Sequence, residues 1–160
     1  MNRVKGMLDG LEAHNCAIVE EWLGQLEQAL IQQDSQSLNA LFLSQSYWRD
    51  VLALTGNIQT LCSAETISEA ISERSKDAGL SNIHVELADM LPRRVTRVGT
   101  ETIEAFFIFE TSVGRGRGIV RLCPDSADAG RYKAWTFLTA LEELDGYEET
   151  TGANRPTGRS

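Results

Sequence analysis

The feature that most constrains this chain is a change of hydrophobic period near its middle. From Cys16 to Gln33, Val19, Trp22, Leu23, Leu26 and Leu30 recur at helical spacing with Glu20, Glu21, Gln25 and Gln28 between them, which predicts one amphipathic helix. Asp34 or Ser35 can cap a second, shorter helix carrying Leu38, Leu41 and Phe42, so the two form a hairpin. Ser63 can cap a third that runs to about Ala78, with Ile67, Ala70, Ile71 and Ala78 on one face and Gly79 placed to end it. Short strands are expected near 47–51 and 58–61. Beyond Leu80 the period falls to two, as Ile83, Val85 and Leu87 alternate with His84, Glu86 and Ala88. Segments 102–111, 118–123 and 131–140 are rich in β-branched and aromatic residues and predict longer strands. The stretch 112–117, holding Gly114 and Gly116, reads as the hairpin turn between the first two, and 124–130 as the next turn.

Helices first and strands afterwards predict an α+β layout with a mainly antiparallel sheet, not the alternation of a parallel one. At 160 residues the chain has the length of one domain, and such a chain buries roughly 70% of its unfolded surface, enough to fold without staples. Along 102–111, Ala105, Phe107 and Phe109 point to one side and Phe106 and Ile108 to the other. One face can serve the helices. The other needs a second apolar surface, most simply the same sheet of another copy, so a homodimer through the sheet face is expected.

Charge narrows the partners. Fifteen Lys and Arg against 23 Asp and Glu give a net charge of −8, a field that repels phosphate backbones, so no nucleic acid is expected. No apolar run approaches the ~20 residues that cross a bilayer, and the first fifteen lack the apolar region of a secretory signal, so no membrane association and a cytoplasmic location are expected. Cys16, Cys62 and Cys123 are scattered, without a C-x-x-C pair, and only His14 and His84 could join them. That pattern supports neither a disulfide framework nor a metal site.

Nucleotide, hydrolase, zinc-protease and calcium signatures are absent. The run Gly114-Arg115-Gly116-Arg117-Gly118 superficially suggests a phosphate loop, but it lies between two strands, whereas a dinucleotide fingerprint needs a following helix. Asp50, beside Trp48 and Val51, is the most tempting acid or base, with Tyr47 as a hydrogen-bond donor to a developing oxyanion. Arg49 and the turn just beyond offer it structural partners instead. His84 either enters a pocket or faces water. Glu104 and Glu110 share a strand face with Phe106 and Ile108, where Arg121 and Lys133 could pair with them, while an unpartnered Glu104 in a cavity would be a catalytic candidate. Trp135 on the last strand suits a core better than a stacking platform.

Three segments resemble a known arrangement: YWRDVLALTGNIQTL (Tyr47 to Leu61), TIEAFFIFETSVGRGRGIVRL (Thr102 to Leu122) and YKAWTFLTALEELDGYEETTGANRPTG (Tyr132 to Gly158). Together they are similar to the nuclear transport factor 2-like, or SnoaL-like, domain at the N-terminus of bacterial and fungal flavin-containing monooxygenases. The resemblance implies a cone in which a curved sheet wraps helices around a pocket, with Tyr47, Trp48, Asp50 and Trp135 best placed to line it; His84 and Glu104 are further candidates. Relatives often carry a tryptophan and a charged pair where Gly56, Asn57 and Gln59 stand here. In such flavoproteins the segment matching Gly152 to Gly158 leads into the module with the FAD fingerprint, which this sequence lacks, so the chain is expected to bind neither FAD nor NADPH by itself.

The expected organisation is an N-terminal extension (1–15), the domain (16–144) and a tail or severed linker (145–160). The leading expectation is an accessory or small-ligand-binding domain related to those flavoproteins, with a small hydrophobic ligand as one possible partner. A small-molecule isomerase, dehydratase or hydrolase using pocket acids and bases is one alternative, and a protein-interaction module another.

Overall fold

The first periodic segment folds as α1, Gly10–Gln32, in a computed structural model that describes residues 10–88 and 90–144. The helix begins at Gly10 rather than Cys16, so part of the expected extension is helical. Its buried stripe starts at Asn15, whose side-chain oxygen accepts from Arg94 Nε at 2.8 Å, and continues through Cys16, Val19, Trp22, Leu23, Leu26 and Ala29. Asp34 caps α2, Ser35–Asn39, by accepting from the Ser37 amide at 3.2 Å and its hydroxyl at 2.7 Å. Phe42, expected on this helix, instead opens β1, Phe42–Val51. Tertiary bonds fix the exit: the Trp22 indole donates to the Leu41 carbonyl at 2.9 Å and the Ala134 amide to the same oxygen at 2.8 Å.

Strand β2, Ile58–Cys62, returns along β1, and α3, Ala64–Ala78, follows. Ser63 caps α3 by accepting from the Thr66 amide at 3.3 Å, and Gly79, at φ +68°, ends it in the left-handed conformation that glycine adopts without strain. The remaining strands are β3 (Ser81–Val85), β4 (Arg93–Arg97), β5 (Thr100–Thr111), β6 (Gly114–Asp125) and β7 (Arg131–Leu144), with a short 3₁₀ turn at Ser126–Asp128.

The sheet order is β2-β1-β7-β6-β5-β3, and β4 pairs with β5 as well. All pairs are antiparallel except β1 with β7. The expected hairpin turn shrinks to residues 112–113, so the glycine-rich stretch belongs to β6. The reason lies across the strand. Phe107 and Phe109, opposite Gly118 and Gly116, lay their rings on those glycines, and a Cβ at either would stand 2.2 Å from the ring. A side chain there would also strike backbone, since a Cβ on Gly118 would lie 2.2 Å from the Leu138 carbonyl oxygen.

Those rings continue inward. Phe107 stacks on Phe137 at 5.2 Å, Phe137 meets Trp22 at 5.5 Å, and Trp22 meets Phe42 edge-on at 5.7 Å. An aromatic chain therefore occupies the space between α1 and the inner sheet face, where each ring contributes about 1.5–3 kcal/mol by burial. No helix among the described residues is long and apolar enough to cross a membrane.

Candidate functional site

Alternation along β1 sends Trp48 and Asp50 inward and Tyr47 and Arg49 outward, and this parity separates the residues proposed for acid/base work. Trp48 and Asp50 are buried, while Tyr47 is 46% exposed on the opposite face of the sheet. Asp50 and Tyr47 cannot address one substrate.

Asp50 is fully engaged by its own surroundings. Its Oδ1 accepts from the Thr139 hydroxyl at 2.6 Å, and its Oδ2 from the Thr55 amide at 2.8 Å and the Thr55 hydroxyl at 2.7 Å. The Leu54 amide is shared between the two oxygens at 3.2 and 3.1 Å. Thr139 in turn accepts from the Trp48 indole at 2.9 Å, and the Asn57 amide donates to Thr55 Oγ1 at 3.1 Å. A carboxylate with four protein donors closes a loop. It holds the β1–β2 connection, where Leu52 stands at φ +64°, against the inner end of β7. Of the structural partners expected for Asp50, the turn just beyond supplies Leu54 and Thr55, whereas Arg49 points to the outer face and donates to Thr60 Oγ1 at 3.1 Å. Thr139, on the last strand, carries no local signal.

The outer face reads as three rows across the sheet. One runs Ile58, Val51, Ala140, Arg117, Ile108, His84. The middle row runs Thr60, Arg49, Leu138, Ile119, Phe106, and the third Cys62, Tyr47, Thr136, Arg121, Glu104, Arg93. Leu138, Ile119 and Phe106 form a half-buried apolar centre, and the Arg117 guanidinium lies 4.5 Å above the Phe106 ring while pairing with Glu86 at 2.9 Å.

Glu104 sits on this outer face, buried under three arginines. It accepts from Arg93 Nη2 at 2.9 Å, Arg97 Nη2 at 2.9 Å and Arg121 Nε at 2.6 Å. Burial alone would push its carboxyl up, but the bonds from Arg121, Arg93 and Arg97 outweigh that and hold it down at about 2. Of the two bases expected to pair here, Arg121 does so, whereas Lys133 pairs with Asp125 at 2.9 Å and Asp128 at 3.1 Å. Glu110 accepts from Asn82 at 2.7 Å. Arg93 and Arg97 were invisible to periodicity because β4 has one apolar residue in R-R-V-T-R; its pairing to β5 makes it a strand.

His84 is exposed, with Nδ1 3.0 Å from the Asn82 carbonyl. It lines a surface cavity of about 380 Å³ with Asn82, Ile108, Glu110, Arg115 and Glu143. Trp135 falls at a bulge between the pairs Arg121–Thr136 and Leu122–Ala134, which turns it from the expected core into a half-buried position on a second cavity of about 350 Å³ beside Gln45 and Cys123. The candidate residues thus occupy five places: Trp48 and Asp50 inside, Tyr47 and Glu104 on separate parts of the outer face, His84 at one edge and Trp135 at the bulge. No cluster of His, Cys, Asp and Glu suited to a metal ion exists among the described residues.

No family model matches the chain, and no curated protein matches its sequence. Solved structures do match in fold. A ketosteroid isomerase-like protein from Erwinia carotovora atroseptica superposes with a TM-score of 0.55 at 9% identity, over 80% of this chain and 96% of that one. An NTF2-like protein with a cystatin-like fold from Novosphingobium aromaticivorans gives 0.54 at 12% identity, over 82% and 84%. A cystatin-like fold protein from Burkholderia xenovorans gives 0.50 at 19% identity, over 80% and 92%. The chain has the nuclear transport factor 2-like α+β fold, with three helices packed on a curved, mostly antiparallel sheet. At these identities the likeness speaks of fold and leaves function to the residues.

Proposed function

We propose that this chain is a non-catalytic nuclear transport factor 2-like accessory domain that pairs with a second copy of itself through the outer face of its sheet. The observation that carries this reading is the pair of opposed faces on β1. Among the described residues Asp50 is the carboxylate buried on the inner face, and it spends its oxygens on Thr139, Leu54 and Thr55. The outer face, by contrast, offers Leu138, Ile119 and Phe106 rimmed by charge, the layout of an interface with an apolar centre and a polar edge. The resemblance of Tyr47 to Leu61 and Thr102 to Leu122 to flavin-containing monooxygenase N-termini supports an accessory role beside a flavin module. The intact mass of the endogenous protein tests that part, since a mass near 17.7 kDa would leave no room for such a module.

Sedimentation equilibrium tests the pairing. Wild-type chain is expected to run as a dimer at about 0.1 mM or below, and Leu138→Glu as a folded monomer, because the carboxylate would be buried unpaired only in the dimer. A wild-type monomer at that concentration refutes self-pairing.

A second reading rests on the cavity beside His84, where the apolar Ile108 lies among Asn82, Glu110, Arg115 and Glu143. Its volume, about 380 Å³, is within the range that holds a small organic molecule. Saturable ligand-induced shifts of the His84 ring protons, lost in Ile108→Asp, would favour it over the pairing reading.

A further inference from the structure

The register on the outer face sets Glu104 between Arg93 on one neighbouring strand and Arg121 on the other. Arg97 stands on the same face of β4 as Arg93, two alternations further along, and reaches the same carboxylate. Arg94, between them in sequence, points to the other side, toward Asn15, Glu101 and Tyr132. A structural ion pair on a sheet needs one cation for one anion, and here three guanidiniums share a single carboxylate. Among the described residues two positive charges are left over.

Their placement is as informative as their number. The Glu104 side chain is 5% exposed, whereas those of Arg93, Arg97 and Arg121 are 53%, 43% and 32% exposed. The carboxylate is therefore the floor and the guanidiniums are the rim. Arg93 and Arg97 each direct one terminal nitrogen to the floor; Arg121 uses Nε there and Nη1 on Thr136 at 3.3 Å. Each guanidinium carries five N–H donors in a fixed plane, of which these bonds use one on Arg93, one on Arg97 and two on Arg121. Glu104 holds three like charges together in advance, so a ligand meets them already assembled.

We infer that Arg93, Arg97 and Arg121 form a binding site for a compact oxyanion, the phosphate or carboxylate group of a small ligand. Guanidinium forks match both groups in bidentate geometry. The net charge of −8 over the whole chain opposes an extended polyanion, so recognition is confined to a group small enough to be governed by the local surplus within a Debye length of about 8 Å. The site lies in the third row and on β4, at the charged rim of the face proposed for self-pairing, so a monomeric variant is needed to separate the two.

Arginine Nε–Hε resonances of the full chain, labelled with ¹⁵N, test this in titrations with sodium phosphate and, separately, sodium succinate, each against sodium chloride at matched ionic strength. Saturable shifts at Arg93, Arg97 and Arg121 are expected, with an affinity of about millimolar for so few atoms. Saturation by phosphate alone assigns a phosphoryl ligand, by succinate alone a carboxylate ligand, and by both an oxyanion site without that choice. Arg97→Gln, at a half-exposed position, should keep the thermal unfolding transition and weaken binding by about tenfold; Arg93→Gln serves if Arg97→Gln unfolds. The monomeric Leu138→Glu should bind as wild type does, which separates this site from the pairing reading. Shifts no larger than those in chloride, or an arginine variant that binds like wild type, overturn the assignment.

Discussion

Replacing Asp50 by asparagine decides whether its carboxylate holds the fold or waits for a substrate. Asparagine has the same shape but one acceptor fewer. It can keep its carbonyl toward the Leu54 and Thr55 amides and the Thr55 hydroxyl, and turn its amide to Thr139 Oγ1, which then loses the acceptor for its own proton. Hydrogen bonds to a charged group contribute about 1.5–3 kcal/mol and neutral ones about 0.5–1.5. Three retained bonds that each lose about 1 kcal/mol, offset in part by no longer burying a charge, give a net loss of about 2–3 kcal/mol. With a urea slope of about 2 kcal/mol per molar, the unfolding midpoint should fall by about 1–1.5 M. Asp50→Ala, which strands all four donors, should cost about 4 kcal/mol or more. Thr139→Val should couple to Asp50→Asn by at least about 1 kcal/mol in a double-mutant cycle, since both cut one network. An Asp50→Asn chain within about 0.5 kcal/mol of wild type would refute the structural role and return Asp50 to the list of reactive groups.

Glu104 predicts an acid-sensitive limb. Its folded pKa of about 2 lies below the ordinary 4.5, so the unfolded chain binds the proton first; the stabilisation is whole above about pH 4.5 and is lost as pH falls toward 2. At about 1.4 kcal/mol per pH unit that gap amounts to about 3 kcal/mol at most, and Glu104→Gln should flatten this part of the stability curve when urea midpoints are compared from pH 6 to pH 3. Gly118→Ala should destabilise by about 3 kcal/mol or prevent folding, because the new Cβ meets the Leu138 carbonyl oxygen at 2.2 Å and backbone cannot step aside. Gly24→Ala, on α1 with nothing within 4 Å, should instead raise the stability by about 0.5–1 kcal/mol. A stable Gly118→Ala or a weakened Gly24→Ala in thermal melts would count against this account of the packing.

What could be read from the sequence follows the range of the interactions. Caps are local, so Ser63 and Gly79 are legible, Asp34 is one of the two residues offered for its cap, and the order of helices and strands follows except for β4. Phe42 was misassigned because its fate depends on Trp22 and Ala134, far away in sequence, meeting at Leu41. The glycines of β6 looked like a turn because the rings that require them lie on another strand. The short arginine strand β4 exists through Glu104 and the ladder of β5, which no window of five residues contains. At the site, the sequence draws attention to Asp50 and Glu104, but their surroundings turn on strand parity and on partners up to 89 residues away, as Thr139 is from Asp50. Tail residues 145–160 lie outside the described residues.

The position of β7 also sets an order of events during synthesis. This strand lies between β1 and β6 in the sheet yet follows every other described strand in the chain. Until the ribosome has released it, β1 with β2 and the β3-to-β6 group each present an open edge, with Trp48 and Asp50 on one side of the gap and the backbone of Gly116 and Gly118 on the other. The nascent chain therefore carries two unfinished half-sheets that can recruit strands from neighbouring chains, and a stop anywhere before Arg131 would leave both exposed permanently. One strand, delivered late, converts an aggregation hazard into a closed ladder.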